Sequence, residues 1–110
     1  MTAEGRLQRQ ILDHLRDRGI TAWRNQSGRV QLRHGGWMHL APEGCPDIVG
    51  FLAGGRFLGI EVKAPASRAT QEAIEHRTNQ TDWARKILAS GGLYIRAQSL
   101  DDVINGLRET

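Results

Sequence analysis

The chain has 110 residues of ordinary globular composition, enough for one domain with one modest core, expected to span residues 1–110. Its net charge of +3, with arginine in excess, favours a polyanionic partner, and a single cysteine, Cys45, excludes an internal disulfide or an all-cysteine zinc site. No apolar run approaches a membrane span and the first residues lack a signal peptide's basic and apolar regions, so the expectation is a cytoplasmic protein without membrane association.

Residues 3–18 read as a helix. Leu7, Ile11, Leu12 and Leu15 recur at helical spacing, Thr2 is placed to cap the start and Gly19 to end it. Residues 20–25 read as a strand. Residues 26–45 are the least regular part, with a small hairpin expected from 30–32 and 37–40 about His34-Gly35-Gly36. Residues 48–52 and 57–63 are the central strands, joined by a turn at Gly54-Gly55. Pro65 stops the second strand. Residues 67–77 are polar and read as loop or a short helix. A helix is expected over 81–90, with Trp83, Ile87 and Leu88 on its apolar side, before a strand at 93–97. Ser99, with Asp102 three residues later, marks a last helix whose apolar side is Val103, Ile104 and Leu107. The predicted class is α/β, in the order α-β-(insert hairpin)-β-β-α-β-α, with a central mixed sheet flanked by helices.

The chemistry concentrates around the central strands. Asp47 lies just before the first, and Glu61 and Lys63 lie two residues apart in the second, so Glu61 and Lys63 project from one face. Register decides whether Asp47 joins them. A two-residue loop at Gly54-Gly55 sets Asp47 opposite Val62 and sends the two acids to opposite faces. A three-residue loop over 53–55 pairs Leu52 with Arg56 and sets Asp47 opposite Glu61. It also gathers Ile48, Leu52, Leu58, Ile60 and Val62 on the other face, which is then apolar apart from Gly50, as a core face should be. The odd-length turn, or a bulge of equal effect, is therefore predicted.

Taken singly, an Asp after Pro is an ordinary turn residue and a Glu-x-Lys an ordinary surface pair of little energetic consequence. Together, behind an apolar face, two carboxylates and an ammonium suit a hard divalent cation and a phosphodiester. Asp47 and Glu61 are the candidate ligands for Mg²⁺ or Mn²⁺, with the Val62 carbonyl as a third oxygen. Lys63 is placed to orient or deprotonate an attacking water or to neutralise the phosphate; the sequence leaves these roles open. His34, His39, Cys45 and His76 lack the paired spacing of a zinc site, and His14 is expected on an exposed helix face. Arg24, Asn25, Arg29 and Arg33, with Trp37 among them, are candidates for nucleic-acid contact, and Arg68, Arg77, Arg85 and Lys86 form a possible second basic edge. The other reading of the insert is a solvated hairpin with Trp37 tucked on the core.

Pro46-Asp47, then Glu61-Val62-Lys63-Ala64-Pro65, then Gln80 before a helix ending at Gly91, resembles the PD-(D/E)xK nuclease superfamily. Within it the pattern is similar to the VRR-NUC family of small stand-alone nucleases found in phages and mobile elements. Glu4 on the first helix, Trp23-Arg24-Asn25 with Gly28, and Gly44-x-Pro46-Asp47 fall in that family's order, so the resemblance covers nearly the whole chain. It implies a restriction-endonuclease-like core and metal-binding roles for Asp47 and Glu61, with Lys63 as the motif lysine. It also implies catalytic roles for Gln80, with Gln71 as a competitor, and for Glu4, which shares a helix face with Leu7 and Ile11. The implied protein is a divalent-metal-dependent endodeoxyribonuclease, a homodimer selective for branched DNA such as four-way junctions, in a bacterial or phage-infected cell and without a nucleotide cofactor. A two-fold dimer also suits a junction that needs two symmetric cuts. The rival readings are a non-catalytic DNA-binding module of the same fold, a purely structural partner protein, and an enzyme of the same fold acting on RNA.

Overall fold

One sheet of four strands forms around alternating apolar residues in its central strands, which give it a core side. A computed structural model of the protein describes residues 1–26, 28–63 and 71–108, with the backbone alone described over 71–79. The sheet runs in the order β1 (Thr21–Arg24), β4 (Ile48–Leu52), β5 (Arg56–Val62), β6 (Leu93–Ala97). β1–β4 and β4–β5 are antiparallel and β5–β6 is parallel, so the sheet is mixed, as expected. β2 (Arg29–Gln31) and β3 (Trp37–His39) form a separate two-stranded sheet.

α1 (Ala3–Asp17) and α3 (Leu100–Arg108) cover one side of the sheet. Ile11 and Leu15 from α1 and Val103 and Leu107 from α3 meet Ile48, Leu58, Ile60, Val62, Ile95 and Ala97 in the core. This is the apolar face predicted from the register. The turn over Ala53–Gly55 has three residues, Leu52 pairs with Arg56, and Ile48 pairs with Ile60. Gly54 and Gly55 both take positive φ, which supports the turn without a Cβ penalty. Gly50, the gap in the apolar face, has a steric reason: a Cβ there would meet the Thr21 carbonyl oxygen at 2.3 Å and the Ala22 Cα at 2.8 Å. β1 approaches β4 too closely for any side chain at this point.

The helix ends follow local chemistry. Thr2 Oγ1 accepts from the Gly5 amide at 3.0 Å, and the Ile20 amide closes α1 on the Leu15 carbonyl at 2.9 Å. At α3 the Asp102 amide donates to Ser99 Oγ at 3.3 Å, and the Asp102 carboxylate accepts from the Gln98 amide at 2.8 Å.

α2 (Gln71–Ala89) crosses the opposite face between β5 and β6, and Ile87 lies over Gly59. It begins ten residues before the helix predicted at 81. Residues 71–80 are good helix formers without an apolar stripe, so periodicity did not reveal them. Trp83 and Ile87 turn inward as expected, but Leu88 is 59% exposed. His14 departs from expectation as well: it is half-buried on α1, and its Nε2 is buried without a hydrogen-bond partner among the described residues. Ala64, Pro65 and Arg68, and the side chains of Gln71, His76 and Arg77, lie outside the described residues. No helix among the described residues is long and apolar enough to cross a membrane.

Candidate active site

The acids stand on the α2 side of the sheet because their neighbours claim the other side. Ile48 follows Asp47, and Ile60 and Val62 flank Glu61; all three neighbours are fully buried in the core. Alternation then directs both carboxylates away from that core, toward α2. Asp47 is fixed by backbone groups. Its Oδ2 accepts from the Val62 amide at 2.8 Å, and its carbonyl accepts from the Asn25 amide at 2.7 Å. In a strand the amide and carbonyl of one residue point to the same edge, so the Val62 carbonyl opens toward Asp47.

Glu61 is 2% exposed. Its Oε1 accepts from the Gln80 amide nitrogen on α2 and lies 3.7 Å from Lys63 Nζ. Its Oε2 is buried and has no hydrogen-bond partner among the described residues. Burial first, then the Asp47 carboxylate, push the Glu61 carboxyl up to about 8, with Lys63 pulling the other way. Burial followed by the charge of Glu61 pushes the Tyr94 phenol up to about 12. Cys45 is also raised, chiefly by burial and against a hydrogen bond from Asn25. Burial, more than any neighbouring charge, thus disfavours the ionised form of Glu61.

A buried carboxylate beside a second acid suits a cation. Two carboxylates and a backbone carbonyl are hard oxygen donors, and one carboxylate oxygen is buried without a hydrogen-bond partner among the described residues. Asp47, Glu61 and the Val62 carbonyl therefore fit a divalent ion that keeps several waters. Among the described residues no group of three His, Cys, Asp or Glu side chains converges as a metal cage, so Glu4 does not complete one with this pair. Glu4 is half-buried in the first turn of α1.

The predicted nucleic-acid contacts fall in different places. Arg29, Arg33 and Trp37 are exposed on the hairpin, and the Arg29 guanidinium sits 5.3 Å from the centre of the Trp37 ring. Trp37 is 59% exposed and is not tucked on the core. Arg24 is exposed at the end of β1 and, by alternation with Trp23, leaves the sheet on the side away from the acids. Asn25 turns inward: its Nδ2 donates to Cys45 Sγ at 3.0 Å and to the Pro46 carbonyl at 3.2 Å. It clamps the turn that delivers Asp47. Trp83 braces the same turn from α2, donating from Nε1 to the Glu43 carbonyl at 2.9 Å. Arg85 and Lys86 engage neighbours on their own helix, Asp82 and the Trp83 ring.

Two positions at the site, Tyr94 and Arg96, escaped the sequence reading. Arg96 is paired with Glu61 across the parallel β5–β6 ladder, alternates with the buried Ile95 and Ala97, and is exposed on the face that bears the acids. Alternation in residues 93–97 gives its side of the strand, but nothing local says that β6 lies beside β5.

Comparison with solved structures finds the Holliday junction resolvase Hjc of the archaeal hyperthermophile Archaeoglobus fulgidus. Identity is 26% with a TM-score of 0.49, covering 84% of this chain and 65% of that one, so this chain spans somewhat less than two-thirds of the resolvase. No family model matches the chain, and no curated protein matches it.

Proposed function

We propose that this protein is a divalent-metal-dependent nuclease of the VRR-NUC type that hydrolyses DNA phosphodiester bonds, acting as a homodimer on branched DNA such as four-way junctions. The observation that carries the reading is the pairing of Asp47 with a buried Glu61 whose Oε2 has no hydrogen-bond partner among the described residues. Evolution rarely retains an unsatisfied buried carboxylate for stability, since such a group lowers it. A cation partner resolves the contradiction.

The chain's own residues divide the work. The Val62 amide holds Asp47 Oδ2 and the Gln80 amide holds Glu61 Oε1, so that Asp47 Oδ1 and Glu61 Oε2 are the oxygens that would hold a metal ion. When bound, Mg²⁺ or Mn²⁺ supplies positive charge to the phosphate and promotes ionisation of the attacking water. Lys63 emerges from the same face, 28% exposed at its side chain, where it orients or deprotonates that water or neutralises the phosphate. Glu4, half-buried in the first turn of α1, is assigned a supporting catalytic role on the family resemblance alone. Arg29, Arg33 and Trp37 on the hairpin, with Arg24 exposed at the end of β1, contact the nucleic acid, chiefly its backbone, while Asn25 holds the turn that carries Asp47.

Pairing of two copies has support in the sheet. Trp23 on β1, Phe51 on β4 and Phe57 on β5 project on the same side as the acids and are 51%, 50% and 38% exposed. Three large apolar side chains left uncovered on one face mark an association surface.

The test is cleavage of labelled duplex, flap, single-stranded and four-way-junction DNA, and of matching RNA, with Mg²⁺, Mn²⁺ or EDTA. Cuts lost in EDTA and in Lys63→Ala establish the nuclease, and the preferred substrate names its class. Salt-sensitive DNA binding without cleavage of any substrate overturns it in favour of the non-catalytic module.

A further inference from the structure

The β2–β3 hairpin stands apart from the body. Every described residue over 28–40 is exposed. A two-stranded ribbon is marginal in water unless one face lies on a core, and among the described residues neither face is buried. Its register sets Arg29 opposite His39, Val30 opposite Met38 and Gln31 opposite Trp37. Alternation then sorts the ribbon into two unlike faces. One carries Arg29, Gln31, Trp37 and His39, with the guanidinium against the indole. The other carries Val30, Leu32, Met38 and Leu40, which are 37%, 44%, 49% and 40% exposed.

Charge indicates what covers the apolar face. Residues 26–42 contain Arg29, Arg33, His34 and His39 and no acid, so the occupant is a polyanion with an apolar interior. A second copy of this basic ribbon offers no complementary charge. Nucleic acid offers both features where its base pairs are unstacked. Position agrees: Asn25 donates to the Pro46 carbonyl, the Leu40 amide closes the ribbon base on the Gly28 carbonyl at 2.9 Å, and Arg29 follows Asn25 by four residues. Four residues reach at most about 14 Å, so the ribbon rises from the rim of the acidic site.

We propose that the hairpin is a branch-point wedge: Val30, Leu32, Met38 and Leu40 enter the opened centre of a DNA branch while Arg29, Arg33 and Trp37 hold the flanking strand. Apolar side chains inserted at a base step unstack it, and an aromatic ring with cations beside it accepts a displaced base and its phosphates. The substrate follows from the nuclease reading, on which this inference rests; the wedge itself is testable without cleavage.

The experiment places 2-aminopurine at the centre of a four-way junction and titrates the full chain in EDTA, with sedimentation of each variant alongside. The expected result is a fluorescence rise of roughly threefold as the base unstacks. Leu32→Ser/Met38→Ser abolishes the rise and lowers the junction-to-duplex affinity ratio by roughly tenfold. Leu32→Phe/Met38→Phe retains both, which separates apolarity from folding of the ribbon. Binding by the native chain without a rise overturns the wedge, as does an undiminished rise in the serine variant. A serine variant that loses self-association but keeps the rise assigns the apolar face to a second copy and also overturns it. A rise with no metal-dependent cleavage of any substrate refutes the nuclease reading and supports the wedge; cleavage without a rise does the reverse.

Discussion

Replacing Glu61 with glutamine should stabilise the metal-free protein at neutral pH, and the size of the gain follows from the site. The Glu61 carboxyl is pushed from an ordinary 4.5 to about 8 by burial and by Asp47, against the pull of Lys63. Asp47 and Cys45 face it from the segment before β4, Lys63 from its own strand and Tyr94 from β6. A carboxyl raised on folding holds its proton more tightly in the native state. Below 4.5 both states are protonated and the group contributes nothing. Between 4.5 and 8 the unfolded chain releases the proton while the native state keeps it, so stability falls as pH rises; above 8 the loss is complete. At pH 7.5 this amounts to about 4 kcal/mol, a large share of the ~5–15 kcal/mol that holds a typical domain. Glu61→Gln keeps an oxygen for Gln80 to donate to and carries no charge. Urea denaturation of both proteins in EDTA should give similar stabilities at pH 4 and a variant several kcal/mol more stable at pH 7.5. Adding Mn²⁺ at pH 7.5 should then stabilise the native protein and leave the variant unmoved. Parallel stability curves across that pH range would refute the reasoning, because Glu61 would not be held as a strained acid.

Removing the Glu61 partner with Gln80→Leu should cost about 1–3 kcal/mol in denaturant unfolding and reduce cleavage, since a buried acceptor loses its donor. Gly50→Ala should destabilise by about 1–3 kcal/mol or more, because its Cβ meets the β1 backbone, and the midpoint in urea reads this directly. Trp23→Ser/Phe51→Ser should convert a dimer to a monomer in sedimentation velocity while leaving the far-ultraviolet spectrum unchanged; a persistent dimer would place the contact elsewhere.

Much of this protein is legible in its sequence because the governing signals are local. Alternation over residues 48–52 and 56–62 fixes which side chains are core. The requirement that this face be apolar selects the three-residue turn, and that register brings Asp47 beside Glu61. The caps at Thr2 and Ser99 likewise depend on groups within a few residues. Other features rest on contacts between distant segments. Periodicity did not reveal the first ten residues of α2, whose sequence carries no apolar stripe. Gly50 interrupts the apolar face in the sequence, and only the close approach of the β1 backbone explains it. Asn25 looked like a surface contact until its amide was found on the Cys45–Pro46 turn. Arg96 joins the acidic face only because β6 pairs in parallel beside β5, and Trp37 is left in solvent because no described residue buries its side of the ribbon. Residue type and spacing decide which face a side chain takes; strand order and close backbone approach decide what it meets there, and those are properties of the packed chain.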